Sequence, residues 1–291
     1  MADVQDATLD RAGLTSGLIA ALSWGMTGTF IHLVTTASPG LITVCRLAVS
    51  ALVLTAIAMI RRGNARRPAP PRMAIAAIAA YYVFATEAFT RAPVVEVTLL
   101  VGSSPLIAVC FVRFMGRPVS PLRLVGVVVA VVGLAGFVIP GSRYSFTSII
   151  GDVLALAAAI VSAIYVTLLR AAASAGNAPD GVAVAARASI VGAIASVALL
   201  AIRGAGSIST VSIHDWWVLI SLGAISTAIP TVAYSEASRR LPTTVTTSLT
   251  LLTPLFAALF AGFLLGEWPI AARLPGAIVA FAGICIVVLR Q

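Results

Sequence analysis

Apolar runs of about twenty residues recur ten times along this 291-residue chain, and their length constrains the fold more than any motif does. A helix rises 1.5 Å per residue and needs about 20 mostly apolar residues to cross hydrocarbon. Gly, Pro and charge clusters place the runs at 13–34, 40–60, 73–90, 94–114, 121–139, 149–169, 181–202, 215–236, 243–264 and 271–289. The third and fourth are parted only by a Thr90-Arg91-Ala92-Pro93 turn. The runs are continuous rather than alternating, so they predict helices and not a barrel. Only termini and short connectors remain outside them, too little for an extramembrane catalytic domain. Composition agrees: 60% apolar and 10% charged residues exclude an ordinary soluble domain and intrinsic disorder.

The formal charge of +9 invites a nucleic-acid reading, which its distribution removes. All 19 basic residues are arginines. With ten spans, thirteen of them fall on the side of the N-terminus, four (Arg91, Arg143, Arg203 and Arg273) on the other, and Arg46 and Arg187 within spans. That asymmetry predicts cytoplasmic termini. The cluster from Arg61 to Arg72 is a topology determinant that can also touch anionic lipid heads. The acidic start, Met-Ala-Asp-Val-Gln-Asp, lacks the basic region of a cleaved signal, so the first span is expected to stay as an anchor. Cys45, Cys110 and Cys285 stand in separate apolar runs and read as small buried side chains, with no metal site or cofactor expected.

The chain repeats itself. Glu87, Ala88, Arg91, Pro93, Thr98, Leu100 and Pro105 match Glu236, Ala237, Arg240, Pro242, Thr247, Leu249 and Pro254 at a constant offset. Gly116, Arg123, Gly126 and Gly133 match Gly266, Arg273, Gly276 and Gly283 in the same way. Arg46 stands where Arg187 stands in the second copy. These matches predict an all-α membrane protein of ten helices, divided into five-span repeats at 1–145 and 146–291. Because five is odd, the second copy is inverted, an architecture of secondary transporters whose substrate site lies near the midplane between repeats.

Ser23-Trp24-Gly25 in the first span, Arg46 in the second, Pro105 and Pro254 within spans, and Leu265-Gly266-Glu267 followed by Gly276 and Gly283 together resemble the drug/metabolite transporter superfamily, in its EamA-type branch. The likeness covers essentially the whole chain. It implies a bacterial inner-membrane exporter working by alternating access, most like those for neutral or aromatic amino acids. A nucleotide-sugar or other anionic-metabolite antiporter is the alternative. Gly116-Arg117 departs from Gly266-Glu267, which argues against any role needing an acid in both copies. The first span also lacks the embedded glutamate on which small multidrug exporters of the superfamily rely.

Ionisable groups inside spans are functional candidates because their insertion is costly. Arg46 and Arg187 either bind a carboxylate or close a gate at the two ends of a cavity, or they snorkel to the interfaces. His32 is near the outer end of the first span, on a face similar to that of Trp24; it exchanges protons or meets headgroups. Glu87 with Arg91, and Glu236 with Arg240, have the spacing of helix-end ion pairs, with a proton relay as the other reading. Tyr82 with Thr86, Tyr165 and Tyr234 are candidates to line a pocket, while interface belts also attract tyrosine. Thr247 belongs to a hydroxyl-rich stretch before Pro254, and Pro105 and Pro254 are the expected kinks. The glycine-rich fifth and tenth spans read as tightly packed scaffold. No catalytic set of Ser/His, paired Asp or His/Glu occurs at membrane depth, so an enzyme is not expected. A passive channel differs from a carrier in showing no saturable exchange. The unit encloses a path alone, so a monomer among lipids, moving a small-molecule substrate, is the expected working form.

Overall fold

A computed structural model of the chain describes residues 10–61, 68–116, 118–138, 146–177, 179–203 and 211–289. Arg62, Arg66, Arg67, Arg117, Arg143 and Arg290 lie outside those residues. The first repeat contains α1 (Arg11–Leu33), α2 (Pro39–Ile60), α3 (Arg72–Phe89), α4 (Val94–Gly102), α5 (Ser104–Phe114) and α6 (Pro121–Val138). The second contains α7 (Phe146–Ser174), α8 (Gly181–Arg203), α9 (Ile213–Gly223), α10 (Ile229–Arg240), α11 (Thr243–Thr250), α12 (Thr253–Phe260) and α13 (Leu274–Leu289). Among the described residues nine segments are long and apolar enough to cross a membrane, and α6 is a shorter apolar tenth.

Local chemistry sets the boundaries. The Ser38 hydroxyl accepts from the Leu41 amide and Pro39 occupies the first turn of α2, positions that suit Ser and Pro at a helix start. The turn at Thr90–Pro93 separates α3 from α4 as the sequence suggests. Gly116 and Gly266, equivalent in the repeat, end their spans at φ 73° and 71°. Only glycine adopts that left-handed conformation without steric cost.

Three spans are broken. Pro105 has no N–H for the carbonyl four residues back, so α4 stops and α5 begins, with Pro105 in its first turn. Pro254 does the same between α11 and α12. Neighbouring hydroxyls bond the backbone near the breaks: Ser103 Oγ donates to the Leu100 carbonyl at 2.6 Å and Thr250 Oγ1 to that of Thr247 at 2.7 Å. Between α9 and α10 the chain forms a π turn, Ala224–Ala228, just before Pro230.

The packing obeys the inverted repeat. In span numbers, the third packs on the sixth (α3 on α7) as the eighth packs on the first (α10 on α1). The fourth likewise meets the sixth (α4, α7) as the ninth meets the first (α12, α1). The second and seventh (α2, α8), and the fifth and tenth (α6, α13), pair with their own equivalents on the symmetry axis. Close glycine approach makes the last contact possible. A β-carbon at Gly133 would overlap the Ala280 backbone, and one at Gly276 or Gly283 would overlap the backbone of Gly136 or Ala130. Gly25 of the Trp-Gly pair likewise seats α1 on α12, where a β-carbon would stand 2.7 Å from Phe256 Cβ.

Candidate functional site

Arg46 is a buried cation between the repeats, 2% exposed and about 10 Å into α2. The π turn is what reaches it. Thr227 Oγ1 donates to the Leu222 carbonyl at 3.0 Å and accepts from Arg46 Nε at 2.9 Å. From the first repeat, Thr86 Oγ1 donates to the Tyr82 carbonyl at 2.8 Å and accepts from Arg46 Nη1 at 3.1 Å. Each hydroxyl spends its proton on its own helix and so turns a lone pair toward the guanidinium. The Tyr82 ring lies 5.3 Å from the guanidinium carbon, a cation–π distance. Among the described residues no carboxylate pairs with Arg46 and its Nη2 group makes no hydrogen bond.

The aromatic rings of Tyr81 and Tyr82 act directly on this cation, and others lie beyond them. Tyr82 is buried and stacks edge-on against Tyr81 at 5.4 Å. Trp24 of α1 packs against Tyr234 of α10 at 5.5 Å, with the rings tilted by 49°. Tyr165 of α7 is close enough to interact electrostatically with both Tyr82 and Tyr234. Contacts therefore run from Arg46 to Thr86 and Tyr82, from Tyr82 to Tyr165, and through Tyr234 to Trp24. Arg187 does not join them: it is exposed on α8, so the repeat does not make it a second Arg46. Thr247 is half-buried on α11 and gives its carbonyl to Thr250. The helix-end pairs form: Arg91 bonds Glu87, and Arg240 Nε bonds Glu236 Oε1 at 2.6 Å.

At the face opposite the N-terminus, polar contacts tie one repeat to the other. His32 Nδ1 meets Glu267 Oε1 at 2.8 Å, and the Val94 amide donates to Glu267 Oε2 at 3.3 Å. Burial pushes the Glu267 carboxyl up, but the His32 hydrogen bond and charge and the Val94 amide outweigh it, so its pKa lies below the ordinary glutamate value. Asp215, fully buried at the start of α9, accepts from the Thr35 amide (3.1 Å), the Thr36 amide (2.7 Å) and Thr36 Oγ1 (2.6 Å). Arg273 Nη1 donates to the buried Glu96 carboxylate at 3.0 Å, and the Asp152 carboxyl bonds the same Glu96. The sequence reading names none of Thr227, Glu96, Asp152 and Asp215, and it notes Glu267 only as part of a motif. The Pro230 that accompanies the π turn was the available signal for Thr227; the acids at span ends gave none.

The face of the N-terminus has an ion pair between the repeats and a cavity of its own. A cavity of about 270 Å³ opens there, lined by Arg61, Asp180, Ser235, Glu236 and Arg239. Arg240 of the second repeat holds Asp10 of the first at 3.2 Å, and that contact, with the Ala12 amide, sets the Asp10 carboxyl below its usual value. A smaller cavity of about 170 Å³ lies at the opposite face, between α2, α3 and α8, and includes Glu87 and Arg91. Neither contains Arg46, whose surroundings are filled by side chains.

One solved crystal structure, titled only as that of a protein, aligns with 94% of this chain and 96% of its own, at a TM-score of 0.67 and 24% identity. That likeness supports the fold. No functionally curated protein matches the sequence. The model of the EamA-like transporter family matches twice, over residues 11–139 and 149–289, once for each repeat. A match over nearly the whole chain, on a bundle of apolar helices in two inverted copies, makes this a multi-pass membrane protein of the EamA-like transporter family.

Proposed function

We propose that the protein is a secondary transporter for a small metabolite bearing one carboxylate, best fitted by a neutral or aromatic amino acid. The observation that carries this is Arg46, a buried cation without an acidic partner, held by hydroxyls of both repeats. A buried charge is stable only when paired, and a substrate carboxylate supplies the missing anion. The Trp24, Tyr165 and Tyr234 rings offer faces to the substrate's ammonium or to an aromatic side chain. One buried arginine neutralises one charge, and the exposed Arg187 adds no second, which counts against nucleotide sugars.

The site sits between repeats, which hold each other by polar contacts at the face opposite the N-terminus and leave the larger of two cavities at the other face, an arrangement that fits alternating access. The arginine asymmetry supports an inner-membrane orientation with cytoplasmic termini, while export as the direction rests on the resemblance to amino-acid exporters alone. Residues 1–145 and 146–291 act as the two halves, and a monomer suffices. The test is counterflow in proteoliposomes loaded with a panel of amino acids. Saturable exchange of a neutral or aromatic amino acid, abolished by Arg46→Ala, is the expected result. Exchange of nucleotide sugars but no amino acid, or transport unchanged by Arg46→Ala, overturns the substrate reading; flux that never saturates overturns the carrier.

A further inference from the structure

His32 has an acceptor on each ring nitrogen. Nδ1 stands 2.8 Å from Glu267 Oε1 and Nε2 stands 2.6 Å from the Phe89 carbonyl oxygen. A neutral imidazole carries one N–H, and a carbonyl oxygen never donates. Both contacts are hydrogen bonds only when the His32–Glu267 pair holds one extra proton, giving an imidazolium beside a carboxylate. We propose that His32 is a proton-binding site, and that closing this face takes up one proton while opening it releases one.

The placement supports coupling. His32 ends α1 in the first repeat, whereas Glu267 of the second follows another π turn, Ala261–Leu265. Separating the repeats removes the carboxylate from the ring, so the closed face binds the proton more tightly than the open one. The His32 and Glu267 side chains are 22% and 32% exposed, so water can deliver and remove the proton. The proton adds to a ring nitrogen and leaves to water, with Glu267 as its counter-charge and no other bond changed.

Glu267 is the charged side chain that acts on His32. The other elements packed on α1 commit their charges elsewhere or carry none. Glu87 of α3 pairs with Arg91 and Glu96 of α4 with Arg273. Asp215 of α9 holds Thr35, Thr36 and His214. The charges of α10, Glu236, Arg239 and Arg240, sit at the opposite face, and α11, α12 and both π turns have none.

This inference rests on the proposed separation of the repeats at this face. It is tested by electron-spin distances in nanodiscs, with nitroxides on Thr35→Cys and Ala271→Cys and alanine at Cys45, Cys110 and Cys285. One proton released on opening makes the open-to-closed ratio rise by up to about tenfold per pH unit between about pH 5.5 and 8.5. His32→Gln should abolish that dependence, and Glu267→Gln should flatten it, since the closed face then offers the imidazolium no counter-charge that the open face lacks. A distance distribution flat with pH in the otherwise native protein, or a pH dependence that survives His32→Gln, overturns the proposal. Counterflow that persists alongside either result leaves the transporter reading standing, whereas loss of counterflow in the native protein removes that reading itself.

Discussion

Arg46 shows what a single residue reveals in sequence and what it conceals. An arginine inside an apolar run marks itself as costly, so its candidacy is visible. Its partners are not, because Thr227 lies 181 positions away and one threonine in an apolar helix looks like another. Depth from a helix end likewise fails to separate Arg46 from Arg187, since lateral facing decides which is buried and that depends on the neighbours. The two donors of Arg46 point to different threonines, a fork that lysine cannot reproduce. Arg46→Lys should therefore keep the charge yet lose a positioned hydrogen bond worth about 1.5–3 kcal/mol, raising the apparent KM for exchange roughly tenfold or more. Glu96, Asp152 and Arg273 form the second residue-scale case. Glu96 is 3% exposed and the Arg273 side chain 13%, so Arg273→Gln strands buried carboxylates and should cost about 3–5 kcal/mol. Thermal unfolding in detergent should show that loss, with partial recovery when Glu96→Gln is added; a single variant as stable as the native chain would show that the cluster is effectively solvated.

At the scale of elements, the breaks at Pro105 and Pro254 are legible because proline removes an amide wherever it stands. The π turn is harder to see. One extra residue in a long apolar run shifts the helical phase without changing the apolar pattern, so periodicity carries no trace of it. Yet this turn lets Thr227 bond the Leu222 carbonyl, five residues back, while facing Arg46. The α6–α13 pair is the opposite case, since glycines spaced along two apolar spans foretell close backbone approach. Because a side chain at Gly133 meets the backbone of Ala280, which cannot swing aside, Gly133→Leu should destabilise the bundle by about 1–3 kcal/mol. A lowered unfolding temperature without a change in exchange KM for the surviving folded fraction is the expected outcome. A changed KM would mean that this pair is coupled to the substrate site.

For the whole molecule, the count of spans and the inverted repeat follow from lengths and matched positions, and the packing has that symmetry. The charged contacts do not, and they distinguish the two faces. Asp215 holds Thr36 from 179 positions away and Arg273 holds Glu96 from 177, pairings that no local pattern encodes. Glu267 has Arg117 as its counterpart in the repeat, so the tie to His32 has no equivalent acid in the first copy. If the halves part as proposed, the contacts at the face opposite the N-terminus must break before Arg46 can be reached from that side. Ser212 donates its amide to Thr36 Oγ1 at 3.1 Å, bringing the repeats together at that face. Cysteines at Thr36 and Ser212, joined by a short bifunctional thiol reagent in a background lacking the native cysteines, should hold the face closed. Counterflow should then fall to background in the cross-linked protein and remain when either cysteine is present alone. Substrate binding in detergent should persist, because Arg46 and its threonines are undisturbed. Exchange that continues at its full rate after complete cross-linking would show that these halves need not part at this face.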